Sequence, residues 1–152
     1  MRTFCTLPVL TMFVFGITVN GVGCSSKKKE DRIFPVSGTA KVEGELLPVG
    51  WIVFYPDEER GNKNTALPFA DIKSDGSYEL FTNGKPGAAL GHYKVVVGAT
   101  RDPLPAAPTF DESAKKPQWL MAEKYLKPET TDLFIEVVEK PGPGQYDLIL
   151  SR

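Results

Sequence analysis

An all-β fold, a roughly seven-stranded antiparallel two-sheet sandwich, is what this sequence predicts, and three observations predict it. Fourteen glycines and thirteen prolines punctuate 152 residues, a density that favours short strands joined by turns over long helices. Apolar residues alternate with polar ones at period two in several runs, the signature of a half-buried strand. No stretch carries the apolar spacing of an amphipathic helix. With 41% hydrophobic and 24% charged residues the chain has the composition of one domain able to bury a core. Its net charge of -1 leaves no basic face to dominate, which argues against nucleic acid as a partner.

The chain divides into three parts: a leader over 1–23, a lipidated cysteine and polar tether over 24–32, and the sandwich over 33–152. Arg2 supplies a positive start, and residues 4–19 are almost wholly apolar or small. This run is too short, and too interrupted by Pro8 and Gly16, to read as a membrane-spanning helix. Asn20-Gly21-Val22-Gly23 then gives the small residues that a signal peptidase needs before its cut. The next residue is Cys24. The arrangement resembles the lipobox of bacterial lipoproteins, in which the cysteine is acylated on sulfur and becomes the mature N-terminus; Gly21 stands where leucine is usual. Thiolate chemistry explains the residue type, since sulfur is the soft nucleophile that forms a stable thioether to a diacylglyceryl group. Cys5 leaves with the leader, so no disulfide is expected. Ser25 follows Cys24 where enteric-type inner-membrane retention uses aspartate, and the resemblance therefore favours the outer membrane. Residues 25–32, with Lys27, Lys28 and Lys29, read as a solvated tether whose lysines can also meet anionic headgroups.

Within the domain, residues 36–43 alternate strictly, with Val36, Gly38, Ala40 and Val42 on one face. Residues 51–55, Trp-Ile-Val-Phe-Tyr, have the length and β-formers of a central strand. Ser74-Asp75-Gly76 between two β-rich runs predicts a hairpin, because glycine takes the positive φ such a turn demands. Residues 91–97 form the next strand. Four prolines between residues 100 and 118 mark a long loop without regular structure, a length that often carries function. Residues 119–125 predict one helical turn. Residues 133–138 and 145–150 are expected to pair across Pro141-Gly142-Pro143-Gly144.

These stretches together resemble the carboxypeptidase-regulatory-like and transthyretin-like superfamily of β-sandwich modules. The resemblance rests on residues 36–42, Pro48-Val49-Gly50, Asp75-Gly76-Ser77-Tyr78, Pro86-Gly87 and Gly91-His92-Tyr93-Lys94-Val95. Small predicted lipoproteins with that domain also carry a late Lys-Tyr, Pro and Thr segment, matched here by Lys124-Tyr125, Pro128 and Thr130-Thr131; Ala122 stands where a proline is common. The resemblance implies an Ig-like/transthyretin-like fold and a non-enzymatic domain.

The residues themselves offer little catalytic chemistry. His92 is the only histidine, so no histidine cluster for zinc and no Ser-His-Asp set is evident; it reads as a strand-end surface residue. Asp57, Glu58, Glu59, Asn62 and Asn64 lack the alternating ligand spacing of a calcium loop and read as a solvated acidic loop. Lys41 and Asp147, placed like the cross-linking pair of pilin-type sandwiches, both fall on solvent-facing strand positions. No cofactor or metal is expected. Trp51, Tyr55, Trp119 and Tyr125 read first as core aromatics. Phe110, Trp119 and Tyr125, in and beside the long loop, form the candidate interaction surface. The leading expectation is a lipid-anchored envelope module that binds an envelope protein or glycan. The alternatives are a structural spacer and, further off, an enzyme accessory domain.

Overall fold

The computed structural model describes residues 32–101 and 118–152. The leader, Cys24, almost all of the tether, Phe110 and most of the loop at 100–118 lie outside the described residues. In chain order the strands are β1 (Ile33–Phe34), β2 (Ser37–Val42), β3 (Glu45–Leu46), β4 (Gly50–Pro56), β5 (Phe69–Ile72), β6 (Ser77–Glu79), β7 (Phe81–Thr82), β8 (Lys85–Pro86), β9 (Ala88–Ala89), β10 (Gly91–Gly98), β11 (Phe134–Val137) and β12 (Leu148–Leu150). Two one-turn 3-10 helices, Glu58–Arg60 and Glu123–Leu126, complete the described elements.

The fold is all-β, as expected, but the described residues form more than seven strands, many of only two to four residues. Two tight turns account for much of this. Glu43-Gly44 and Asn83-Gly84 all have positive φ, so the chain folds straight back from β2 into β3 and from β7 into β8. Paired left-handed residues match the right-handed twist of flanking strands, which is why such two-residue loops make hairpins.

Six strands form one antiparallel sheet in the order β11-β10-β4-β5-β7-β8. The apolar run in β4 lies inside this sheet, between β10 and β5. In the second sheet β2 is central, with β12 on one edge and β3 and β6 sharing the other. Val36, Ala40, Val42, Leu148 and Leu150 from the second sheet join one core with Ile52, Phe54, Ala70, Tyr93, Val95 and Val97 from the first. Two open sheets sharing a core are consistent with a β-sandwich.

One pairing differs from expectation. Residues 133–138 and 145–150 do not pair with each other: β11 joins β10, whereas β12 crosses to the second sheet and runs parallel to β2, Leu148 opposite Ala40 and Leu150 opposite Val42. Burial explains the crossing, because Tyr146, Leu148 and Leu150 are buried only if they face the same core as Val36, Ala40 and Val42. The domain is thus antiparallel except at this pair. The Asp75-Gly76 turn forms, closed by hydrogen bonds from Gly76 N to Lys73 O and from Lys73 N to Ser77 O. The two arms keep the hairpin register, with Phe69 opposite Phe81 at their far end, and β6 in the second arm also pairs with β2 of the second sheet.

Candidate functional site

The most elaborated polar feature lies where β4 ends. Asp57 follows Pro56, and its backbone N–H donates to the His92 carbonyl of β10 at 3.0 Å. Its own carbonyl accepts from Arg60 N–H and Asn62 N–H, while Gly61 takes the left-handed conformation that ends the 3-10 turn. Asn62 is buried. Its amide donates to the His92 carbonyl at 2.8 Å, and its Oδ1 accepts from Asn64 N–H at 3.2 Å. Gly91, at φ 138°, leaves room for that side chain, since a Cβ there would stand 2.9 Å from Asn62 Cγ. The loop is therefore fixed to the start of β10 at one carbonyl, that of His92, which accepts from both Asp57 N–H and the Asn62 amide.

Glu58 and Glu59 are exposed, as a solvated acidic loop requires, but Asp57 and Asn62 are buried, which corrects that expectation for these two residues. Asp57 is 2% exposed, with Arg60 Nε 3.4 Å from Oδ2 and Lys94 Nζ 3.9 Å from Oδ1. Asp57 Oδ1 accepts no hydrogen bond from the described residues, so the two cations balance it electrostatically. Glu59 lies 3.3 Å from the same Lys94 amine. The Arg60 guanidinium also sits 4.1 Å above the Phe134 ring of β11, within cation–π range. Beside this hub lies an open pocket of about 410 Å³ lined by Arg60, Gly61, Asn62, Lys63, Asn64, Leu90 and Gly91. Its lining combines two cations, amides, two glycines that leave backbone accessible, and one exposed apolar side chain. Such a set suits a polar or acidic ligand with an apolar edge.

The residues singled out from sequence fall as follows. His92 stands on the outer face of β10 opposite Glu136, with Nε2 3.8 Å from Oε1, a partly exposed ion-pair arrangement at the sheet surface. Asp147 is exposed and accepts from Thr39 N–H and Thr39 Oγ1 at 2.8 and 3.0 Å; Lys41 sits opposite Ile149, two residues further along. Tyr125 does not belong to a surface. Its ring is buried in the core and its hydroxyl meets Ser151 Oγ at 3.2 Å. Trp119 is half-buried against the core and bridges Thr100, joining the two ends of the long loop at its base. Phe110 lies outside the described residues.

Among the described residues no group of three or more His, Cys, Asp or Glu side chains is placed to hold a metal ion. None of the described helices is long and apolar enough to cross a membrane. The pocket was hidden in the sequence because its cations are spread through an acidic stretch. The usable signal was Gly61, between Arg60 and Asn62, and Gly91 beside Leu90, all of which line the pocket. Neither the family models, nor the curated proteins, nor the solved structures compared with this chain contain a match to it.

Proposed function

We propose that this chain is a cell-envelope lipoprotein, acylated at Cys24, whose sandwich domain is a non-enzymatic binding module of transthyretin-like form. The observation that carries the reading is the order of parts along the chain: apolar leader, small residues, Cys24, polar tether, then a folded β domain from Ile33 onward. A lipid anchor on a short tether suits a module that holds or meets another envelope component. The pocket beside Asp57 is the module's contact site, and an acidic glycan is the ligand class its lining favours. Lys63 and Arg60 meet carboxylates, Asn64 meets hydroxyls, and Leu90 lies against the ring's apolar edge.

Intact mass of the membrane-fraction protein, wild type against Cys24→Ala, tests the anchor. A mature chain starting at Cys24 with added acyl mass, lost on substitution, is expected; an unmodified soluble chain overturns it. Titration with uronic-acid oligosaccharides, comparing wild type with Lys63→Glu, tests the pocket. Saturable binding weakened at least tenfold by the substitution is expected, and binding that ignores it removes the pocket from the account.

A further inference from the structure

The outer face of the six-stranded sheet carries aromatic side chains that the core does not use. Trp51 and Tyr55, which the sequence assigns to the core, stand instead with Val53 on the side of β4 opposite the buried Ile52 and Phe54. None of the three belongs to the core or packs against it. Val53 is opposite Phe69 of β5, and Phe69 is opposite Phe81 of β7. Phe69 and Phe81 are 43% and 45% exposed. Trp51 lies down on the sheet over Gly98 of β10, where a Cβ would fall 2.3 Å from Cε2 and Cζ2 of the indole and 2.7 Å from Nε1. The bare Cα of a glycine is what lets a ring rest that close to the strand. Adjacent half-bare aromatics on one sheet face mark a contact surface.

Two carboxylates share this face with the rings. Asp71 stands beside Trp51. The hairpin register that sets Phe69 against Phe81, and Lys73 N–H against the Ser77 carbonyl, sets Asp71 opposite Glu79. Both acids are exposed, and neither has an ion-pair or hydrogen-bond partner among the described residues. Like charges directly opposite one another destabilise a sheet, so the fold itself gives no reason for the pair. Lys73, just past the end of β5, is the nearest cation along the strand, and its charge acts on Asp75 in the turn. Toward β11 the charges of the same face are engaged: Lys94 lies by Asp57 and Glu59, His92 faces Glu136, and Arg60 covers Phe134.

The chemistry of the face selects its partner. Uncompensated carboxylates repel anions, which disfavours an acidic ligand or an anionic lipid surface here. A peptide takes a sheet edge or a groove, and the middle of a sheet face is neither. A second copy would draw both carboxylates out of water, a costly step without a matching cation. Sugar hydroxyls, by contrast, donate to carboxylates that only accept, while the C–H face of a sugar ring lies on the electron-rich face of an aromatic. Neighbouring strands stand about 5 Å apart and same-face residues about 7 Å apart along a strand, so a sugar on Phe69 is within reach of both Asp71 and Phe81. We propose that this face is a platform for a neutral polysaccharide, whose rings stack on Trp51, Phe69 and Phe81 and whose hydroxyls donate to Asp71 and Glu79. The platform shares no residue with the lining of the pocket beside Asp57, and the proposal rests neither on that pocket nor on acylation of Cys24.

The test is calorimetric titration of the full chain with cellohexaose, N-acetylchitohexaose and mannohexaose. Saturable binding of at least one is expected, with Phe69→Ala, Phe81→Ala and Asp71→Asn each weakening it several-fold and the pocket variant Lys63→Glu leaving it unchanged. Binding that responds to Lys63→Glu and ignores Phe81→Ala overturns the platform and moves the sugar to the pocket. Absence of binding by all three at millimolar concentration also overturns it. Hexalysine binding in their place, abolished by salt and by Asp71→Asn, would make the face a site for basic peptides. A dimer in sedimentation equilibrium that Phe81→Ala dissociates would assign the face to a second copy, and either result overturns the proposal. Circular dichroism verifies the fold of each variant, and three substitutions at separate positions guard against one of them failing to fold.

Discussion

The Tyr78 hydroxyl donates to the backbone carbonyl of Tyr146 at 2.5 Å, and the contact passes over the bare Cα of Gly38. A Cβ on Gly38 would stand 2.4 Å from that carbonyl oxygen and 3.2 Å from the Tyr78 ring. Three chain segments, β2, β6 and the approach to β12, meet at this point. The hydrogen bond ties the last strand to the only place where β2 lacks a side chain.

Gly38→Ala is expected to destabilise the domain by about 2–3 kcal/mol, because the atom it meets is backbone and must shift with β12. Tyr78→Phe removes only the hydrogen bond and leaves the Tyr146 carbonyl unpaired, a loss of about 1–2 kcal/mol. Chemical denaturation midpoints check both. A Gly38→Ala variant as stable as wild type would show that β12 does not need this approach.

Burial, and then the negative charge of Asp147, hold the Tyr78 phenol well above its ordinary value of 10. The folded state therefore keeps a proton that the unfolded chain releases near pH 10, so the folded state binds more protons above that pH. The stability from this group is full below pH 10 and falls as pH rises beyond it. Ultraviolet titration of phenolate is expected to show Tyr78 ionising only together with unfolding, and Tyr78→Phe is expected to reduce that late step by one phenol.

Lys94 is the cation nearest Asp57 Oδ1, and Asp57 is buried. Lys94→Ala leaves that oxygen without a hydrogen bond and the buried carboxylate with Arg60 as its remaining cation, at an expected cost of about 1–3 kcal/mol in unfolding free energy. By contrast Lys124 pairs with Asp132 at 2.6 Å on the exposed surface. Lys124→Ala is expected to leave the midpoint near wild type, since solvent screens such pairs.

Gly98 faces the Trp51 ring across β10 and β4, and a Cβ there would lie 2.3 Å from Trp51 Cε2. Gly98→Ala is expected to push the indole outward, shifting tryptophan emission to the red and lowering stability by about 1–3 kcal/mol. Unchanged emission and midpoint would mean the ring has room to move.

Much of the strand layout was legible in local pattern. Ala40 and Val42 are buried on one face of β2, with Val36 buried just before it, and Ile52 and Phe54 are buried on one face of β4, as alternation requires. Gly38 was legible only as part of that face. A lone glycine inside a strand also signals close backbone approach, and the backbone it meets belongs to a residue 108 positions later in the chain. The Asp75-Gly76 hairpin was readable and the second pairing of β6, onto β2, was not, because a tight turn fixes the reversal of the chain without fixing which further strand joins it. Tyr125 carried an aromatic and polar profile equally suited to a surface or a core. Its burial follows from the 3-10 turn docking on the end of β12, where Ala122 N–H donates to the Ser151 carbonyl.

By itself the sequence determined the all-β character, the strand faces and the placement of turns, because alternation and positive-φ residues act over a few neighbours. The tertiary structure alone decided which strands pair, the parallel run of β12 along β2, and the salt-bridged burial of Asp57. Those outcomes depend on which apolar faces find one another and which distant cations arrive beside a carboxylate. That is a matter of long-range packing, and no local spacing encodes it.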